Sequence, residues 1–211
     1  MEISESRRRL AQAYSIQDER QLVEQYDAWA SDYDADLASC GYRMPPVIAG
    51  LVVRRLPDLK APILDAGSGT GILGEALHVL GYSEITAIDL SVGMLRVAES
   101  KGIYRAVKRM TLGEPLDFPD GCFAGVVAMG VLTVGHAPPS SLDEMVRITK
   151  PGGVVIFSML HQDPVETRFR TKQEDLERRE LWSLVEDTPY FQSLPYGEPE
   201  VSHKAYVYRV L

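Results

Sequence analysis

Asp65, Gly67, Gly69 and Gly71, followed by Asp89, are the residues of this 211-residue chain whose types and spacing could do chemistry. Glycines at alternate positions let the backbone take positive φ and let a ligand approach the main chain closely. A helix starting behind them would add unpaired N–H groups and about half a positive charge, a grip on something polar. Asp89 lies 20 residues beyond Gly69. That is the separation at which doubly wound folds place a carboxylate that accepts hydrogen bonds from ribose hydroxyls.

The elements that must position these residues are legible around them. A short apolar run ends in Asp65, and Ile72, Leu73, Ala76, Leu77 and Leu80 follow the glycines at helical spacing, so residues 62–81 read as strand, tight turn, helix. Residues 84–89 form a second apolar strand closing on Asp89, and Ser91 caps a helix with Met94, Leu95 and Ala98 inward, stopped by Gly102. Residues 104–110 make a third strand, with Lys101, Arg105, Lys108 and Arg109 as a solvated basic edge. Residues 124–129 make a fourth, and residues 129–136 its lip. Ser141-x-x-Glu144 is a capping box for a helix that stops at Lys150-Pro151-Gly152-Gly153, ahead of a fifth strand at 154–159. Residues 166–186 are charged with a thin apolar face, either a solvated helix or a substrate wall. Residues 189–196 and 205–211 read as a closing antiparallel hairpin with Gly197 in its loop.

Ahead of the glycine turn, Ser15 is an N-cap for an amphipathic segment, one helix or two, carrying Leu22, Val23, Tyr26, Trp29, Ala30, Tyr33 and Leu37. Its aromatic stripe serves either to dock the segment or to cover a ligand. Arg43 sits at the break after it, where a guanidinium either pairs with a carboxylate or is solvated. His136, just beyond strand four, is either a general base or a structural histidine. His78 and His161 offer no paired ligand spacing, so no metal site is expected.

Composition narrows the function classes. The chain is long enough for one domain with a sizeable core and too short for two. A net charge of -8 disfavours nucleic acid and anionic membranes as partners and favours a small or neutral one. Cys40 and Cys122 form no paired motif and read as reduced thiols of a cytoplasmic protein.

The glycine spacing fits two ligands. Residues 69–74 match the dinucleotide pattern G-x-G-x-x-G, while Asp65 through Gly71 resembles motif I of the class I S-adenosylmethionine-dependent methyltransferases. The remaining words favour the second. Tyr26-Asp27-x-Trp29-Ala30-x-x-Tyr33-Asp34 resembles the lid segment ahead of motif I in many small-molecule methyltransferases. Leu116-x-Phe118-Pro119-Asp120-Gly121-x-Phe123 and Lys150-Pro151-Gly152-Gly153 are similar to the words before strands four and five of that class. More narrowly, Tyr42-Arg43-x-Pro45 and residues 104–116 resemble the methyltransferase-like proteins of the Williams-Beuren syndrome region and their bacterial relatives. An NAD(P)-dependent oxidoreductase would explain the glycines and Asp89 but none of these words; a non-catalytic S-adenosylmethionine-binding module would share all the binding residues.

The resemblance implies an α/β, Rossmann-like, doubly wound and mostly parallel seven-stranded sheet with an antiparallel C-terminal edge hairpin. It implies one domain: an N-terminal helical lid at 1–58, a cofactor-binding core at 59–160, and a substrate-wall helix with the hairpin at 161–211. It implies S-adenosylmethionine as cofactor, with S-adenosylhomocysteine as product, and a small-molecule methyl acceptor, in a monomer or weak homodimer. By that resemblance Gly67, Gly69 and Gly71 meet the methionyl part, Asp65 organises its amino end, and Asp89 takes the ribose hydroxyls. Leu90 and Leu112 hold the adenine, and Gly130 and Val131 close from the far lip. Tyr26, Tyr33 and Arg43 cover the carboxylate. Ser68, Met94 and Thr111 complete the cofactor-binding set, and His136 is the candidate base. Two positions depart from the class pattern. Thr111-Leu112-Gly113 stands where an acid often meets the adenine amine, and Ala124 replaces an acid after Phe123.

Overall fold

A computed structural model describes residues 3–16, 18–133, 136–161 and 165–211. Three helices lead the chain: α1 (Ile3–Ser15), α2 (Glu19–Trp29) and α3 (Tyr33–Ser39). Ser15 ends α1 rather than opening α2, and Asp18 is the cap, its carboxylate accepting the Gln21 N–H at 3.0 Å. Helix α4 (Met44–Arg55) delivers the chain to β1 (Ile63–Ala66), then α5 (Ile72–Val79), β2 (Ile85–Asp89), α6 (Val92–Ser100) and β3 (Ala106–Arg109). The second half runs β4 (Phe123–Leu132), α7 (Ser141–Ile148), β5 (Thr149–Leu160), α8 (Val165–Arg178), β6 (Trp182–Asp187) and β7 (His203–Val210).

Alternation of buried apolar residues along the central strands demands cover on both faces. Leu64, Ala66, Ile88 and Val126 pack with α7 residues on one side of the sheet; Ile63, Ile85 and Val127 pack with α4 and α5 residues on the other. Seven strands run in the order β3-β2-β1-β4-β5-β7-β6, parallel except where β7 pairs antiparallel with β5 and β6. This is the Rossmann-like sheet with an antiparallel edge that the sequence leads one to expect. The chain reverses direction of winding between β1 and β4, and the crevice beyond their carboxyl ends is where open α/β sheets hold ligands.

Three local expectations are corrected. The edge hairpin uses Trp182–Asp187 as its first strand, whereas residues 189–196 contribute only an isolated bridge at Phe191. Trp182 decides this: its ring stacks on Tyr208 at 4.0 Å, and Glu186, polar in the sequence, is held by Arg54 and Arg55 of α4. Glu144 does not close a capping box; its carboxylate accepts the Leu116 N–H at 2.7 Å and pairs with Arg147. Lys150-Pro151-Gly152-Gly153 lies inside β5, at a register shift against β4, and α7 has already ended at Ile148. Among the described residues, no helix is long and apolar enough to cross a membrane.

Candidate cofactor and acceptor site

The glycine turn is tied down before any ligand arrives. The Gly67 and Ser68 N–H groups both donate to the Ile88 carbonyl at 2.9 Å, joining the turn to β2. Gly67 has φ 73°, and a Cβ there would sit 2.7 Å from Val131 Cγ2, so only glycine lets the β4 lip close over the turn. Asp65 is placed differently from expectation. Its buried carboxyl lies beneath the turn and accepts the Tyr104 hydroxyl at 2.7 Å, outside the lining of the cavity above. Burial, followed by the charge of Asp89, pushes the Asp65 carboxyl up to about 7 against the pull of Tyr104. Tyr104 also packs against Gly71 and Gly74, which keeps Gly71 as the entrance to α5 rather than a cavity wall.

Asp89 stands at the tip of β2. One carboxylate oxygen accepts the Gly69 N–H at 2.8 Å and the other the Ser91 N–H at 2.9 Å. Burial raises its pKa, and these two amides oppose the rise. The acid is thus fixed in direction, with lone pairs left for a further donor.

The lid lies over this pair. Asp27 of α2 accepts the Ser91 hydroxyl at 2.5 Å and the Gly93 N–H at 2.7 Å, and so caps α6 from another element. Asp34 of α3 accepts from Thr70 and from Lys101 Nζ, the latter at 2.7 Å. Lys101, expected at a solvated basic edge, is instead this latch's cation and pairs with Glu75 as well. Between the two latches Tyr26 and Tyr33 face inward. Tyr26 Oη lies 2.7 Å from His136 Nε2, and burial, with Asp89 and Asp34 nearby, pushes the Tyr33 hydroxyl upward so that it keeps its proton.

Together these elements line a cleft that opens to solvent, with about 910 Å³ of space counted out through its mouth. Of the residues singled out in the sequence, Tyr26, Tyr33, Gly67, Ser68, Gly69, Asp89, Leu90, Met94, Thr111, Leu112, Gly130, Val131 and His136 line it. Asp65, Gly71 and Arg43 do not. Arg43 is exposed at the start of α4, its backbone N–H bound to the Ser193 carbonyl, because the turn into α4 buries Met44 and Pro45 and leaves the guanidinium outside. Val134 and Gly135 of the expected lip lie outside the described residues. Tyr42, Thr70, Ile72, Ser91, Met110 and Met129 line the cavity without having been assigned to it. Ser91 had been read only as a cap. Leu22 and Val23 of α2 also reach the cavity; their helical spacing marked an apolar face but not what it faces.

The chemistry of the lining changes along its length. Ser68 Oγ is buried and has no hydrogen-bond partner among the described residues, beside the backbone of the glycine turn. Asp89 follows, and then the apolar sides of Leu90, Met94, Met110 and Leu112. A polar end, an acid with lone pairs free and an apolar slot suit an amino acid joined through ribose to a purine. Among the described residues, no three His, Cys, Asp or Glu side chains gather as metal ligands.

Comparison with known proteins gives matching results. Residues 64–157 match the methyltransferase domain family. The chain is 38% identical over 159 residues to the human methyltransferase-like protein 27, covering 74% of this chain and 64% of that one. It is 32% identical over 154 residues to a ubiquinone biosynthesis O-methyltransferase of Alkalilimnicola ehrlichii, covering 70% and 62%. The chain therefore spans less than two thirds of the length of these two relatives. Among solved structures, a TehB-like S-adenosylmethionine-dependent methyltransferase of Corynebacterium glutamicum superposes with a TM-score of 0.64 at 20% identity, covering 87% and 99%.

Proposed function

The chain carries a class I S-adenosylmethionine-dependent methyltransferase domain, and we propose that it binds S-adenosylmethionine in the cleft at the sheet's switch point and methylates a small-molecule acceptor. The observation that carries this reading is Asp89, held in direction by the Gly69 and Ser91 amides at the mouth of the switch-point crevice. In this reading Asp89 takes the ribose hydroxyls, Leu90, Met94 and Leu112 clasp the adenine, and the backbone at Thr111 stands in for the missing acid. Ser68, Gly67 and Gly69 meet the methionyl end, with Gly130 and Val131 opposite and Tyr26 and Tyr33 above. Arg43 takes no part.

The bound cofactor supplies an activated methyl carbon on a sulfonium, ready for in-line displacement. What the chain adds is alignment and exclusion of water. The latched lid covers the site, and alignment of an acceptor beneath it can be worth up to roughly 7–11 kcal/mol. His136, hydrogen-bonded to Tyr26, is placed to receive a proton from a hydroxyl acceptor. We further assign the chain one working unit, as monomer or weak homodimer, in the cytoplasm. The two free thiols and the net charge of -8 support that setting and a partner other than nucleic acid.

Asp89→Asn tests the cofactor assignment. Loss of a charged hydrogen-bond acceptor should weaken S-adenosylhomocysteine binding roughly 10- to 100-fold, measured well below the variant's thermal midpoint, which should itself fall because the Asn NH2 cannot accept one of the two amides. Wild-type affinity in the variant would contradict the assignment.

A further inference from the structure

Trp29 is the residue of the lid word that the cleft does not use. It is buried and lies outside the cleft lining, in contact with Tyr26 and Tyr33, which do line it. A small pocket with room for about 30 Å³ adjoins the cleft, sharing Tyr26, Tyr33, Tyr42, Gly130 and His136 with it and lined further by Trp29, Leu10 and Leu194. The two tyrosines therefore border open space twice over, and close packing alone does not fix where their rings point. Among the described residues, helix α8, the expected substrate wall, lines neither space, because Phe169 and Leu176 turn into the core.

The Trp29 ring supplies the missing support. It stands edge-on to Tyr33, with centroids 4.7 Å apart at 75°, and stacks on Tyr26 at 6.0 Å and 18°. Tyr26 in turn meets the His136 ring at 5.5 Å, and its hydroxyl lies 2.7 Å from Nε2.

The indole is itself aimed by Asp36 of α3. Its Nε1–H donates to Asp36 Oδ2 at 2.7 Å. That carboxylate is fully buried; Arg9 Nη1 donates to the same oxygen at 3.0 Å and the Ser6 hydroxyl to the other at 2.7 Å. Burial would raise the Asp36 carboxyl, but Ser6, Trp29 and Arg9 outweigh it and hold it below its ordinary value. The acceptor is thus an anion, which gives a short and directional bond to the indole. The Arg9 and Ser6 bonds dock α1 on α3, whereas the Trp29 bond joins α3 to α2 and sets the ring against which both tyrosines rest.

We propose that Asp36 is a positioning residue for the transfer: acting through Trp29, it holds Tyr26 and Tyr33 over the cleft and the Tyr26 hydroxyl on His136. The inference rests on the reading of the cleft given above.

The test reads the His136 imidazole by nitrogen NMR of histidine-labelled protein without ligand. Its signals are assigned from His136→Gln, and Tyr26→Phe defines the imidazole released from the hydroxyl. Asp36→Ala and Trp29→Phe should each shift the signals in the direction of Tyr26→Phe, and each should weaken S-adenosylhomocysteine binding roughly 3- to 30-fold. The double variant should be no worse than the more damaging single one, because both cut the same bond. Asp36→Asn keeps a carbonyl oxygen for the indole and an amide for Ser6, so it should retain the wild-type signals and bind within about threefold. Ser6→Ala, which removes only a contact to α1, should do the same. Where Asp36→Ala does not fold, Trp29→Phe against Asp36→Asn carries the comparison. Unmoved His136 signals in Trp29→Phe, additive losses in the double variant, or a shift in Ser6→Ala as large as in Trp29→Phe would overturn the proposal. Failure of wild-type protein to bind S-adenosylhomocysteine marks failure of the cofactor reading instead, and the spectra, taken without ligand, still decide the role of Asp36.

Discussion

Asp65 and Asp89 both end parallel strands, yet the fold uses them for different tasks. That Asp89 lines the cleft was legible, because an acid at a strand tip 20 residues after the glycine turn is seldom there for packing. Asp65 carried the same signal, but its partner is Tyr104, 39 residues away, and only the folded chain shows that the pair props up the turn from below. Arg43 lies outside the cleft lining for a related reason: residue type and a helix break do not say which way a side chain leaves the chain. The Asp65 carboxyl has an ordinary value of 3.8 and is raised to about 7. Between those values the folded chain keeps a proton that the unfolded chain has released. This group's contribution to stability is therefore full below pH 4 and lost as pH rises through 7, by roughly 4 kcal/mol. Asp65→Asn does not titrate and lacks that slope. The urea midpoint of wild type should fall relative to that of the variant between pH 4 and pH 7, and parallel curves would contradict the burial of Asp65 as an acid.

The lid illustrates how much an element's sequence conveys. The word spanning residues 26–34 identified helices that cover a site, and the two tyrosines do line it. What it did not convey is that the acid beside each tyrosine is a latch. Asp27 reaches the amino end of α6 and Asp34 reaches Thr70 and Lys101, partners set by tertiary packing rather than by spacing along α2 and α3. The edge hairpin was misplaced for a comparable reason. Glu180 turns the chain into β6 at φ 55° where a glycine would have announced the turn, and Arg54 and Arg55 neutralise the acid that made the strand look like solvated helix. Gly93 is where the lid can be tested, since a Cβ there would lie 2.7 Å from Asp27 Cα, a backbone atom that can yield only by moving α2. Gly93→Ala should therefore cost the cap that Asp27 supplies and weaken S-adenosylhomocysteine binding roughly 3- to 30-fold. Amide exchange across residues 19–39 should speed up while β1, β4 and β5 stay protected. Unchanged exchange in the lid would mean that the Asp27 latch does not hold it.

At the scale of the whole molecule, sheet order does most of the positioning. Reversal of the winding between β1 and β4 opens one crevice, the glycine turn and β2 tip furnish one side, the β4 lip the other, and α2 and α3 close the top. This much was legible, because alternating strands and helices with a final antiparallel pair admit few arrangements. The small pocket beside it was not, because Leu10, Ser193 and His203 line it from parts of the chain that share no motif. The central claim is that the larger cavity holds S-adenosylmethionine, and calorimetric titration of the wild-type chain with S-adenosylmethionine, S-adenosylhomocysteine and NADH tests it most directly. Saturable, one-to-one binding of the first two with none of the third is the predicted result. Binding of NADH alone, or of none of the three, would contradict it.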